Sequence, residues 1–110
     1  MQTHSSRFVE SKPHDVVDHW EDMQGPESGV VELPLHLCWA PNRTFDLSRI
    51  GHRRVLVREV LDNGTQEDQA NYLNGKIIQS VWADMLLPAA TRKRWQDKFP
   101  DKLSRVGKHD

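Results

Sequence analysis

The stretch from Arg53 to Trp95 does most to limit what this chain can become. It sets apolar residues at helical spacing between closely placed breakers, Asn63-Gly64, Asn74-Gly75 and Pro88. Breakers at that spacing exclude any long helix and leave four short units. Isolated helices below about 12–15 residues are marginal in water, so these units must hold one another. The first is expected over 48–62, burying some of Ile50, Val55, Leu56, Val57, Val60 and Leu61, with Asp46 or Ser48 as its cap. Gly64 suits a left-handed position at its end. Thr65, with Glu67 and Asp68 behind it, reads as the capped start of a second unit through Leu73. The pairs Ile77/Ile78, Val81/Trp82 and Met85/Leu86 recur every four residues and predict a third helix over 76–87. Pro88 ends it and opens a fourth, over 88–99, which Pro100 stops.

Before these units the pattern changes. Residues 1–12 show no period and read as disordered. Val16, Val17, Trp20 and Met23 predict a short amphipathic helix over 15–23, followed by a Gly- and Pro-bearing linker over 24–29. Val31, Leu33, Leu35, Leu37 and Trp39 then alternate with Glu32, Pro34, His36 and Cys38, which predicts an extended segment with one apolar face. Pro34 confines it to an edge or a lone arm. The expected fold is therefore mainly α. A small helical domain of four short helices, over 48–100, follows an extended apolar arm over 30–47 and an acidic, partly disordered segment over 1–29. Residues 101–110 form a charged tail.

At 110 residues this is one domain, with 36% apolar and 28% charged residues. That composition is lean for a self-sufficient core and suits a module that completes itself against a partner. The single cysteine, Cys38, excludes an internal disulfide and fits a reducing, cytoplasmic setting. No run is apolar enough to span a bilayer, and the start of the chain lacks the look of a signal peptide. Without a secretory route, the sequons at Asn42 and Asn63 read as coincidences. Charge is uneven. Residues 1–32 carry two bases against seven acids, a net of −5, and the remainder carries thirteen against nine, a net of +4. An acidic front and a basic back is a partner-seeking pattern, and equally a way to stay solvated.

Chemistry-bearing constellations are scarce. The six histidines share no helical pair spacing, and His36-x-Cys38 alone cannot supply the four ligands that zinc normally takes. No P-loop, dinucleotide fingerprint or activated nucleophile is present, so no cofactor and no enzyme activity are expected. Thr65 to Met85 can be read as helix–turn–helix, but Lys76 is the one base on the face that would enter a groove. Candidate nucleic-acid contacts lie instead at Arg53, Arg54 and Arg58 and at Arg92, Lys93, Arg94 and Lys98. The other strong signal is aromatic. Trp20, Trp39, Phe45 and Trp95, with Leu33, Leu35 and Leu37, are the candidate contacts to a protein partner, because large anchors of this kind dominate interfaces. Trp82 fits the core stripe.

Arg53 through Asp68 also resembles a helix–Gly–Thr–acid–helix segment of small bacterial proteins encoded beside nucleotidyltransferase-like toxins. Glu32-Leu33-Pro34, Trp39, Phe45-Asp46-Leu47, Trp82, Leu86-Leu87-Pro88 and Trp95 extend the similarity over about residues 32–96. The resemblance implies an antitoxin that neutralises such a toxin by occlusion, its arm lying in a groove of the partner. The acidic segment 15–32 would complement the toxin's basic substrate channel, folding as it binds. A small DNA-binding regulator is the alternative, and a homodimer pairing the arm with its two-fold mate is a third reading.

Overall fold

The computed structural model describes residues 15–103, so the disorder expected for 1–12 and most of the charged tail lie outside the described residues. The fold is mainly α. A hairpin of β1 (Val30–Glu32) and β2 (Thr44–Asp46) precedes four helices, α1 (Ile50–Asn63), α2 (Gln66–Tyr72), α3 (Gly75–Val81) and α4 (Ala89–Lys98). No helix among the described residues is long and apolar enough to cross a membrane.

The helical periodicities do what they predict. Leu56, Val57, Val60 and Leu61 of α1 are buried against Ile77, Ile78 and Val81 of α3, and Trp82, Met85, Trp95 and Phe99 close the same core. Each such side chain contributes about 1.5–3 kcal/mol through burial. The start of α2 is a reciprocal cap: Asp68 N–H donates to Thr65 Oγ1 at 3.4 Å, while Thr65 N–H donates to Asp68 Oδ2 at 3.0 Å. Leu103, which the charged tail seemed to isolate, is also buried.

Several boundaries differ from expectation. The third helix does not reach residue 87. It ends at Val81, passes through one 3-10 turn over Trp82–Asp84, and becomes extended at Met85. Pro88 disfavours helical backbone at Leu87 and would clash with the Asp84 carbonyl, so it stops a helix from running through 84–88 but does not account for the change at Trp82. The carbonyls left open are taken by the Arg92 guanidinium, which donates to Trp82 O at 3.3 Å and to Met85 O. Gly64 is not left-handed, having φ −97°. It is required by space, since a Cβ there would meet Val60 O at 2.7 Å and Leu37 Cδ2 at 3.2 Å. Neither Asp46 nor Ser48 caps α1; the N-cap is Arg49, with no side-chain bond.

The extended arm is also shorter than its alternation. Val31 and Leu33 point into the core, but the chain turns at Pro34, whose carbonyl accepts from Leu37 N–H at 3.0 Å and Cys38 N–H at 3.2 Å. Past that turn, the alternation no longer predicts which side chains are buried.

The largest correction concerns residues 15–25, which do not form an amphipathic helix. Only Trp20–Asp22 form a 3-10 turn. The rest of 15–25 runs along α2, with Val16, Val17 and Met23 buried, while residues 26–29 are exposed. The 15–25 backbone is captured by side-chain amides. The fully buried Gln69 donates from Nε2 to Asp15 O at 2.5 Å and accepts at Oε1 from Val17 N–H at 3.0 Å. Gln66 donates to Val16 O at 2.6 Å, and Asn74 donates to Gly25 O at 3.0 Å. Gln24 N–H and Gly25 N–H reach Ala70 O and Leu73 O at 2.9 and 2.8 Å. Trp20 then closes the end of the segment, its ring edge-on to Phe99 at 5.2 Å and pressed against Gly75, where a Cβ would collide with the indole.

A Gln69→Leu substitution keeps the volume but strands the Val17 N–H. It should destabilise the protein by about 2–3 kcal/mol, read as a lower urea midpoint. Trp20 fluorescence should shift to the red in the native state as the segment loosens.

Candidate functional site

The seven expected protein contacts separate into three groups. Leu33, Leu37, Phe45 and Trp95 are buried in the chain's own core and are corrected here from contact residues to structural ones. The expectation failed because the helices supply the apolar cover that the arm was assumed to seek elsewhere. Trp20 is half-buried on Phe99. Leu35 and Trp39 are the two that face outward, at 61% and 87% exposure.

Those two side chains stand on a loop, residues 33–43, that is fixed at several points. Leu33, Leu37 and Cys38 anchor it from below. Asn63 at the end of α1 donates from Nδ2 to Leu37 O at 3.0 Å, and the His36 ring meets Asp68 Oδ1 at 3.0 Å. Arg43 donates from Nε to Leu33 O at 3.0 Å, closing the loop's base. Leu35 and Trp39 are thus held out from a fixed support. His36 and Cys38 do not converge, because Cys38 is buried and His36 turns to Asp68. Among the described residues no group of three His, Cys, Asp or Glu could hold a metal ion.

Most of the candidate nucleic-acid contacts are already engaged within the chain. Arg53 donates to Leu47 O at 2.6 Å, bracing the entry to α1. Arg92 caps the α3 end and lies 5.0 Å over the Trp82 ring. Lys98 donates to Val16 O at 3.2 Å, Lys93 pairs with Asp97 at 2.7 Å, and Arg58 lies 3.6 Å from Asp62. Arg94 is exposed. Arg54 makes no hydrogen bond or ion pair among the described residues. It borders an open groove of about 200 Å³ with Val55, Arg58, Asp84, Met85 and Leu86. Leu86, expected in the core stripe, is 83% exposed because the helix stops before reaching it. As for the helix–turn–helix reading, α3 has only seven residues, its start is covered by Trp20, and Gln79 on its outer face donates to Lys102 O at 3.1 Å.

Electrostatics around the hairpin centre on Asp46. Its carboxylate accepts from Ser48 Oγ at 2.7 Å and Ser48 N–H at 2.9 Å. These bonds, with His52 and Arg49 nearby, hold its pKa below the ordinary 3.8.

Compared with protein-family models, with curated proteins and with solved structures, the chain has no match.

Because folding depresses the Asp46 pKa, the associated stability is present above the unfolded value and is lost as pH falls through the folded one. Thermal unfolding below about pH 4 should therefore fall less steeply for Asp46→Asn than for the parent protein.

Proposed function

We propose that this chain is a protein-interaction module that works as an antitoxin, neutralising a nucleotidyltransferase-like toxin by occlusion. The observation that carries the reading is Trp39, 87% exposed and beside exposed Leu35 on a loop anchored by its buried neighbours. A soluble fold of lean apolar content gains nothing by exposing its largest side chain on a rigid support. At an interface the same side chain is an efficient anchor, because a fixed loop has little ordering entropy left to lose. The antitoxin assignment adds the resemblance over about residues 32–96 to that surface.

Residues 15–32 contain Asp15, Asp18, Glu21, Asp22, Glu27 and Glu32 and no Lys or Arg. In the fold this segment is docked rather than awaiting a partner, and three of its acids meet the chain's own cations: Asp18 lies 3.6 Å from Lys98, Glu27 3.4 Å from Lys76 and Glu32 3.4 Å from Arg43. The acidic segment is thus partly charge-compensated, and the reading rests on Trp39 rather than on charge.

Co-expression with the genomic neighbour, followed by size-exclusion chromatography with light scattering, tests the proposal. A stable hetero-complex is the expected result. Trp39→Ala should leave the thermal midpoint unchanged and weaken the complex by about 30-fold, as loss of a central anchor does. A chain that elutes alone beside an unbound neighbour would remove the antitoxin reading. A complex indifferent to Trp39→Ala would move the contact elsewhere.

A further inference from the structure

The groove beside α1 holds two charges that the fold leaves unanswered. Helix α1 lends it Arg54, Val55 and Arg58, and the segment after α3 lends it Asp84, Met85 and Leu86. Arg54 and Asp84 are both exposed, and neither side chain has a hydrogen-bond or ion-pair partner among the described residues. They share a groove without meeting each other. Arg58 is already engaged, lying 3.6 Å from Asp62. Arg92, which braces the Met85 segment, gives its guanidinium to the Trp82 and Met85 carbonyls. Among the described residues, one cation and one carboxylate therefore remain unpaired in the groove.

The apolar part of the same face is also unfinished. Leu86, Val55 and, one helical turn before Arg54, Ile50 are all exposed. Leu86 is not a loose end. Met85 before it is buried, Leu87 after it packs against the core, and Arg92 holds the Met85 carbonyl. A fixed apolar knob thus stands beside an open groove of about 200 Å³. Small-molecule sites usually run to about 300–1,000 Å³, so this groove suits a protein side chain better than a free ligand.

We infer that this face is the contact between two copies of the chain, related by a two-fold axis through the groove. The two charges choose the occupant. An acidic partner that answered Arg54 would be opposed by Asp84, and a basic one that answered Asp84 would be opposed by Arg54. A second copy carries both. A two-fold axis sets Arg54 of each copy against Asp84 of the other, so a single fit satisfies both pairs. The same rotation brings Leu86 of each copy to the groove of the other, against Val55 and Met85. A net charge of −1 leaves little repulsion between the copies. The loop that carries Leu35 and Trp39 does not line the groove, so both loops stay free in the dimer. The inference is therefore independent of the antitoxin reading.

Sedimentation velocity on the full chain over a concentration series tests it. A reversible dimer is expected. Leu86→Ala should weaken that dimer about tenfold while the far-ultraviolet circular dichroism stays that of the parent, since the side chain is exposed. Arg54→Asp and Asp84→Arg should each weaken self-association about tenfold, because either homodimer then meets like charges twice. Mixed in equal amounts, the two variants should recover the parental affinity, because every mixed contact sets opposite charges together. Mixing cannot rescue a clash within one chain, so recovery places the contact between copies and shows that both variants fold. A chain that stays monomeric at every concentration would overturn the inference. So would a dimer indifferent to Leu86→Ala and both reversals, or single variants that fail to recover on mixing. Trp39→Ala should leave self-association unchanged; a dimer that it breaks would assign the contact to the 33–43 loop and overturn the inference too.

Discussion

The buried amide of Gln69 stands where a neighbouring strand would normally stand. It offers one donor and one acceptor to the backbone at Asp15 and Val17, and so lets an irregular segment lie against a helix without orphaned polar groups. The rest of the N-terminal packing follows from that contact. Once residues 15–17 are fixed, Val17 and Met23 can fill the core, Gly25 can close on α2, and Trp20 can cover Gly75. The same device recurs throughout the fold. Asn63, Asn74, Arg43, Arg53 and Arg92 all spend side-chain donors on backbone carbonyls of loops or helix ends. With only a three-residue hairpin and short helices, regular ladders satisfy too few backbone groups, and polar side chains complete the account.

This economy explains why the sequence was legible where it was. Helical periods in α1 and α3 and the Thr65–Asp68 box depend on neighbours within a turn, so they read directly. What failed depended on distant partners. Nothing near Val16 announces that Gln66 and Gln69, some fifty residues on, will hold its backbone extended. The alternation from Val31 to Trp39 was real as far as Leu33, but a proline that could have marked an edge strand marked a turn instead. The break after Val81 left no local signal, since Pro88 restricts only the residue just before it and the apolar pairs run straight through the break.

The candidate site was half legible. Burial decides which aromatic residues can meet a partner, and burial is a property of the whole fold. Trp39 and Trp95 look equivalent in sequence; one stands in solvent and the other is sealed between helices. The cations behave alike. Arg53, Arg92 and Lys98 suggested a charged face, yet each is committed to a carbonyl whose position no local pattern reveals.

The contacts that hold residues 15–25 also order events in time. Val16 O is reached by Gln66, 50 positions later, and by Lys98, 82 positions later. During synthesis this acidic, valine-bearing segment is made well before the groups that will receive it. At about 5–20 residues per second, several seconds separate Val16 from Lys98. In that interval Val16, Val17, Trp20 and Met23 have no core to enter, while the six carboxylates around them keep the nascent chain hydrated and self-repelling. The negative charge later shared with Lys98, Lys76 and Arg43 thus first serves as a built-in solubility tag for this early-made segment.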